Sequence, residues 1–254
     1  MSDFKAVFCC LNSKYIHSSL APWCLLNACR KYCCDGISLK VIEGTVNESI
    51  DDVLQRILSE KPDFISFSCY IWNITAVKRL CRRLKAQLPE AVITLGGPEV
   101  SYNQRELLSA EPCVDYVVSG AGEVSVPMLI NNIFLKANKS VPAVSFRRNG
   151  EIYEDKRPAL TDESISPYCK EYFDALGGRI AYIESSRGCP FNCAFCLSGR
   201  CSPLRFFELE RVKSDIIKLS NSGTQTLKFV DRTFNANYKR ANEILLLIKE
   251  NYGN

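Results

Sequence analysis

Over the first 135 residues, compact apolar blocks alternate with stretches whose apolar residues recur at helical spacing. "KAVFCCL" is a continuous apolar run, as in a strand covered on both faces. "APWCLLNACRKYC" follows with helical spacing, and "SLKVIEG" is a second strand. "ESIDDVLQRILSEKP" opens with acids in its first turn and stops before Pro62, which is helix start and stop chemistry. "DFISFSCY", "AVITLGGPEV" and "VDYVVSGAGE" supply three more strands. Between and after them lie the helices "NITAVKRLCRRLKAQLP", with a basic outer face, and "VSVPMLINNIFLK".

Five apolar strands separated by helices predict an α/β domain with a parallel sheet, covered on both faces and doubly wound in the flavodoxin-like (Rossmann-like) manner. Ligands of such sheets bind outside the carboxyl ends of the strands. The candidate contact loops are therefore "LNSKYIHSS", "SCYIWN", "GGPEVSY" and "SGAGE". Residues 139–178 change character. "AVSFRRNGEIYEDKRP" reads as a hairpin turning at Asn149-Gly150, and "ALTDESISPYCKEYFDALGG" is polar and turn-rich, so this segment is expected to connect two domains. From residue 179 a second α/β pattern begins with strand "RIAYIESS", helix "ELERVKSDIIKLSNSG", strand "TLKFVDRTFN" and helix "KRANEILLLIKEN". Two strand–helix units are the opening of a (β/α) barrel, whose usual length is roughly 200 residues or more. The expected division is 1–138, a connection over 139–178, and 179–254 as the first part of a barrel in a longer protein.

Composition narrows the setting. The chain has 254 residues, 46% hydrophobic and 24% charged, with a formal charge of +4, so a globular core is expected and no nucleic-acid partner is indicated. No apolar run approaches the roughly 18 residues of a membrane span, and the first residues do not resemble a signal peptide. A cytoplasmic location is expected, where thiols stay reduced. Fourteen cysteines then require an account. Those within strand and helix patterns, from Cys9 to Cys81, are expected to be small core residues.

"SSRGCPFNCAFC" is different: it puts Cys189, Cys193 and Cys196 into eight positions directly after a strand. Structural zinc sites take four ligands, commonly as two pairs, and Cys201 is not spaced as a pair partner. A CxxC redox pair opens a helix without a third cysteine upstream. Three thiolates suit a [4Fe–4S] cluster with one iron left open. The residues alone favour the cluster and leave zinc and redox chemistry open.

Gly188 to Cys196 resembles the CxxxCxxC signature of the radical S-adenosylmethionine (radical SAM) superfamily. With "SFSCY", "GGPE", "SGAGE", "RFFELERV" and "FVDRTFN" in order along nearly the whole chain, the sequence is similar to the cobalamin-binding class of that superfamily. The resemblance implies three cofactors. Cys189, Cys193 and Cys196 would ligate a [4Fe–4S] cluster, whose open iron chelates S-adenosylmethionine for cleavage to a 5′-deoxyadenosyl radical. Phe195, Asp231 and Arg205 would contact S-adenosylmethionine. Asn12, His17, Ser68, Gly96, Gly97, Gly120 and Glu123 would line the cobalamin site.

Each of these residues also has a plainer reading. The glycines can simply close turns, although their place at strand ends favours a ligand. Glu123 can be an acid of a helix's first turn, Arg205 a solvated base and Phe195 a packing residue. His17, the only histidine, lacks the Asp-x-His-x-x-Gly frame of cobalt-ligating loops and reads better as a loop polar residue. No Gly-Gly-Glu motif follows the second barrel strand.

The resemblance further implies an external one-electron reductant of flavodoxin or ferredoxin type, an unidentified small-molecule substrate, and methyl transfer to an unactivated carbon. A transfer-RNA methylthiotransferase and a non-catalytic cobalamin carrier are the alternatives. The chain alone is expected not to turn over.

Overall fold

The computed structural model describes residues 4–196 and 203–252. Its chain forms two compact units, Met1–Tyr15 with Ala21–Pro167, and Ile16–Leu20 with Tyr168–Asn254.

The first unit is a seven-stranded sheet in the order β2-β1-β3-β4-β5-β6-β7. Its parallel strands are β1 (Phe4–Asn12), β2 (Ile37–Thr45), β3 (Phe64–Ser68), β4 (Val92–Gly96) and β5 (Tyr116–Val118). The expected doubly wound α/β architecture is therefore the observed one. Successive side chains of a strand point to opposite faces. Val7, Cys9 and Leu11 share one core with Val53, Leu54 and Ile57 of α2 (Ile50–Glu60) and with Val77, Leu80 and Leu84 of α3 (Ile74–Gln87). Ala6, Phe8 and Cys10 are buried on the opposite side, where α1 (Ala21–Tyr32) packs on β1 and against α5 (Ser125–Phe134). Each fully buried aliphatic or aromatic side chain contributes about 1.5–3 kcal/mol relative to exposure. Helix α2 starts where the Ser49 side chain accepts from the Asp51 N–H, and ends at Lys61 in the left-handed conformation ahead of Pro62.

Two elements of this unit depart from the sequence expectation. A short helix, α4 (Gln104–Ala110), lies between β4 and β5. The hairpin expected at Asn149-Gly150 forms β6 (Val144–Arg148) and β7 (Glu151–Glu154) with both turn residues at positive φ. Its first strand pairs antiparallel with β5, Tyr116 opposite Phe146. The segment expected to connect domains thus extends the first sheet, and the unit continues to Pro167.

In the second unit β8 (Ala181–Ile183) and β11 (Leu227–Phe229) pair in parallel, Ile183 opposite Phe229. Helix α7 (Leu209–Ser220) joins them and α8 (Tyr238–Tyr252) follows, burying Val212, Ile216, Leu219 and Ile244. A helix unforeseen from the sequence, α6 (Lys170–Leu176), precedes β8 and buries Tyr172. The short strands β9 (Ser186–Arg187) and β10 (Arg205–Phe206) pair antiparallel. Among the described residues no helix is long and apolar enough to cross a membrane.

Candidate cobalamin and cysteine-loop sites

At the carboxyl ends of the first unit's strands, side chains bind one loop to the next. The Asn73 amide donates to the carbonyls of Leu11 and Ser68, both at 3.0 Å, joining the ends of β1 and β3. Ser101 Oγ donates to the Gly97 carbonyl at 2.8 Å and accepts from the Gly120 N–H at 3.3 Å, joining the loops after β4 and β5. Gly97 sits at φ +104°, and a Cβ there would come within 2.5 Å of the Cys69 carbonyl oxygen. The structure therefore gives this glycine a reason of its own, close passage against the neighbouring backbone. Gly120 is also left-handed, at φ +70°.

Asn12 is buried with its amide on Glu43 at 2.9 Å, the same carboxylate that accepts from Trp23 Nε1 at 2.7 Å. Ser68 and Glu123 are also buried. Around these loops Tyr15, Ile71, Trp72 and Tyr102 expose large apolar surface, 72%, 79%, 49% and 56% respectively. Trp72 stacks on Tyr70 at 4.5 Å with nearly coplanar rings. Small residues at the strand ends, rimmed by exposed aromatics, fit a broad and largely apolar ligand with polar edges, as a corrin is. Trp72, Asn73, Ser101 and Tyr102 lie in the strand-end loops that the sequence marks as candidate contacts, although only the small residues are singled out there. Their position on strand-end loops was the available signal.

His17 belongs to the other unit. It forms a parallel bridge with Ile180, its Nδ1 and the Tyr182 hydroxyl share a hydrogen bond at 2.6 Å, and its carbonyl accepts from Arg179 Nη1 at 3.1 Å. Burial pushes the Tyr182 hydroxyl above its ordinary value.

The cysteine loop leaves β8 through Ser185. Asp231, two residues beyond β11, accepts from the Ser185 N–H at 2.8 Å, the Ser185 hydroxyl at 2.7 Å and the Ser186 hydroxyl at 2.5 Å. The Ser185 carbonyl accepts from Phe207 N–H at 3.0 Å and from Arg240 Nη2 at 3.2 Å. Both backbone polar groups of Ser185 are thus held where the chain turns toward Gly188, which takes φ +86°. Arg240 lies over the Phe206 ring at 5.3 Å; burial lowers its guanidinium from the ordinary value, against the favourable charges of Asp231 and Glu243.

Cys189 Sγ lies 3.3 Å from Thr233 Oγ1. Cys193 is exposed, Cys189 and Cys196 are half-buried, and the Cys196 N–H closes a turn onto the Cys193 carbonyl at 3.0 Å. Among the described residues no three His, Cys, Asp or Glu side chains converge on one point. The thiols are arrayed along one loop, and metal binding would have to gather them. Their donor chemistry, three soft sulfurs on a loop with one exposed side, fits an iron–sulfur cluster.

Phe195 is 95% exposed beside them, open to a ligand and packed in no core. Arg205 is half-buried in β10, opposite Arg187. The structure brings Asp231 to the root of the cysteine loop, and it adds Ser185, Thr233 and Arg240. Parallel pairing of β8 with β11, invisible locally, puts Asp231 and Thr233 there, and Arg240 reaches Ser185 from α8. Cys201 lies outside the described residues.

Comparison with known proteins accords with this geometry. Residues 7–130 match the B12 binding domain. An uncharacterized methyltransferase of Pyrococcus horikoshii is 26% identical over 84% of this chain and 49% of its own length. The cobalamin-dependent radical SAM methyltransferase TokK of Streptomyces tokunonensis is 29% identical over 74% of this chain and 29% of its own. Anaerobic magnesium-protoporphyrin IX monomethyl ester cyclases also match, that of Synechocystis sp. at 33% identity over 57% of this chain and 31% of its own length. The structure of the radical SAM methyltransferase TsrM of Kitasatospora setae, solved with cobalamin and a [4Fe–4S] cluster, superposes with TM-score 0.78 at 16% identity over 98% of this chain and 51% of that one. The chain spans about half or less of the length of these relatives.

Fold and site together define a B12-binding module followed by a strand-borne cysteine loop. The chain carries a B12 binding domain and is similar over much of its length to cobalamin-dependent radical SAM methyltransferases.

Proposed function

We propose that this chain is the cofactor-binding part of a cobalamin-dependent radical SAM enzyme that methylates an unactivated carbon. The observation that carries the reading is the locked Ser185 at the root of the cysteine loop, in a chain whose residues 7–130 match the B12 binding domain. When bound, the cluster and S-adenosylmethionine supply a 5′-deoxyadenosyl radical, and cobalamin supplies the methyl group.

In this proposal Cys189, Cys193 and Cys196 hold the cluster. Asp231 and Arg240 fix the direction in which Cys189 is presented, each by hydrogen bonds to Ser185. Exposed Phe195 offers a face for adenine, and Arg205 a fork for a carboxylate. The strand ends at Ser68, Gly96, Gly97 and Gly120 carry the nucleotide side of cobalamin, while Trp72 and Tyr102 shield the ring from water. An external flavodoxin- or ferredoxin-type reductant supplies electrons, and the substrate is a small molecule.

Two other readings are weighed by particular observations. A methylthiotransferase would need a further cluster from Cys9, Cys10, Cys69 and Cys113. All four are buried, and the thiols of Cys9, Cys69 and Cys113 are raised chiefly by burial, so they are poor metal ligands. Radical ring closure is supported as a second reading by the cyclases among the relatives.

The test is anaerobic reconstitution of the chain with ferrous iron, sulfide and cobalamin, followed by a 5′-deoxyadenosine assay with a strong reductant. Iron and sulfide should bind and be lost when all three loop cysteines become Ala. A triple variant that keeps a full cluster, or a chain that binds no cobalamin, overturns the reading.

A further inference from the structure

We infer that Thr233 sets the reduction potential of the metal centre by donating a hydrogen bond to the Cys189 sulfur, an inference that rests on the cluster reading above. The contact is 3.3 Å between Thr233 Oγ1 and Cys189 Sγ, within range for a bond to sulfur.

The approach is built into the two loops. β8 and β11 run parallel with Ile183 opposite Phe229. Beyond that pair the chains stay tied, first by Val230 N–H to the Ile183 carbonyl at 2.9 Å, then by Asp231 to Ser185 at 2.8 and 2.7 Å. Thr233 and Cys189 are the next contact along the same pair of chains. Its backbone is held as well, since the Thr233 carbonyl accepts from the Ala236 N–H at 3.2 Å at the start of a single helical turn. The hydroxyl is therefore carried toward the sulfur by a strand end tied to β8 and by the bond on its own carbonyl.

The direction of the bond follows from the chemistry. A free thiol and a hydroxyl can each donate. A cysteine that ligates iron is a thiolate and has no proton, so the Thr233 hydroxyl must donate. Reduction by one electron from the external reductant adds negative charge to the cluster and to its sulfur ligands, and forms or breaks no protein bond. A donor pointed at one of those sulfurs stabilises the reduced form more than the oxidised form. Thr233 thus makes the centre easier to reduce, and the first electron is what S-adenosylmethionine cleavage requires. Thr233 is a positioning and tuning residue, with no contact to substrate implied.

The test uses the full chain reconstituted anaerobically without S-adenosylmethionine, so that the protein alone sets the potential. Wild type, Thr233→Val, Thr233→Ala and Thr233→Ser are titrated with reductant in the presence of mediators, following cluster absorbance and the electron paramagnetic resonance of the reduced form. At the potential where the wild type is half reduced, Val and Ala should raise the ratio of oxidised to reduced cluster roughly tenfold, equivalent to about 59 mV for one electron. Ser, which keeps the hydroxyl, should titrate with the wild type. Two hydroxyl-free variants are used so that one decides if the other fails to load. Variants that load and titrate with the wild type overturn the role of Thr233, as does a Ser variant displaced as far as Val. A wild type that takes up no iron and sulfide instead overturns the cluster reading itself.

Discussion

Replacing Gly97 by Ala tests how the strand-end site is built. The added Cβ would meet the Cys69 carbonyl oxygen at 2.5 Å and the Cys69 nitrogen at 2.9 Å, both backbone atoms of a fully buried residue that cannot swing aside. It would also force a side chain onto a residue at φ +104°. The left-handed conformation costs an L-residue roughly 1–2 kcal/mol, and overpacking a filled site about 1–3 kcal/mol more. The sum is about 2–5 kcal/mol, which for a unit of this size is on the order of 5–15 °C in melting temperature. Gly150→Ala separates the two costs. Gly150 has φ +80° but no heavy atom within 4 Å of its built Cβ, so only the conformational cost applies. Thermal and urea unfolding of both variants, beside the wild type, give the comparison. Gly97→Ala should be the less stable by about 1–3 kcal/mol. It should also lose cobalamin affinity, because Ser101 hangs on the Gly97 carbonyl and anchors Gly120. Equal destabilisation by the two substitutions would refute the close-passage account of Gly97.

Three further outcomes are expected. With cobalamin bound as Co(II), electron paramagnetic resonance should show no nitrogen splitting that His17→Ala abolishes, because the loop lacks the Asp-x-His-x-x-Gly frame and the Tyr182 hydroxyl engages His17 Nδ1; such a splitting would establish histidine on cobalt. For Asp162, burial alone raises the carboxyl, but hydrogen bonds from Lys31, Ser164 and Tyr32 outweigh it and leave the group well below the ordinary carboxylate range. Its stabilisation is then complete above the unfolded value near pH ~4 and is lost as pH falls through the lower folded value. The stability gap between wild type and Asp162→Asn should be constant at neutral pH and shrink below about pH 4; a gap that widens in acid contradicts the sign. In the folded protein, iodoacetamide should label half-buried Cys33 well before Cys29, Cys9 or Cys81. The bond from Cys29 lowers the Cys33 thiol against the opposing effect of burial, whereas burial raises the other three. Peptide mapping that finds Cys29 labelled as fast would remove this ordering.

Much of this protein was legible in local pattern. Strands β1, β3 and β4 are covered on both faces, so each reads as a largely apolar block with only small or terminal polar residues such as Ser66 and Thr94. Helices α2 and α3 bury one stripe and show helical period for the same reason. The spacing of Cys189, Cys193 and Cys196 is itself local, so the candidate chemistry could be read before any fold was known. Short elements escaped: α4 and α6 have seven residues each and too few buried positions to establish a period.

What only the tertiary structure decided are the pairings between distant residues. The hairpin is legible in its turn, but its attachment to β5 depends on an edge left open earlier in the chain, Val118 against Val144 leading to Tyr116 against Phe146. The sequence marks Gly97 as leaving room at a strand end, and only the fold shows that the atom nearest to its missing side chain belongs to Cys69. His17 follows β1 in sequence but is held by Ile180 and Tyr182, more than 160 positions away. Asp231 and Thr233 meet Ser185 and Cys189 only because β8 and β11 pair in parallel register across an intervening helix. Burial preference and turn chemistry act over a few residues and are written in the sequence there. Hydrogen bonds between loops are selected by the register of whole strands, and no local pattern encodes that register.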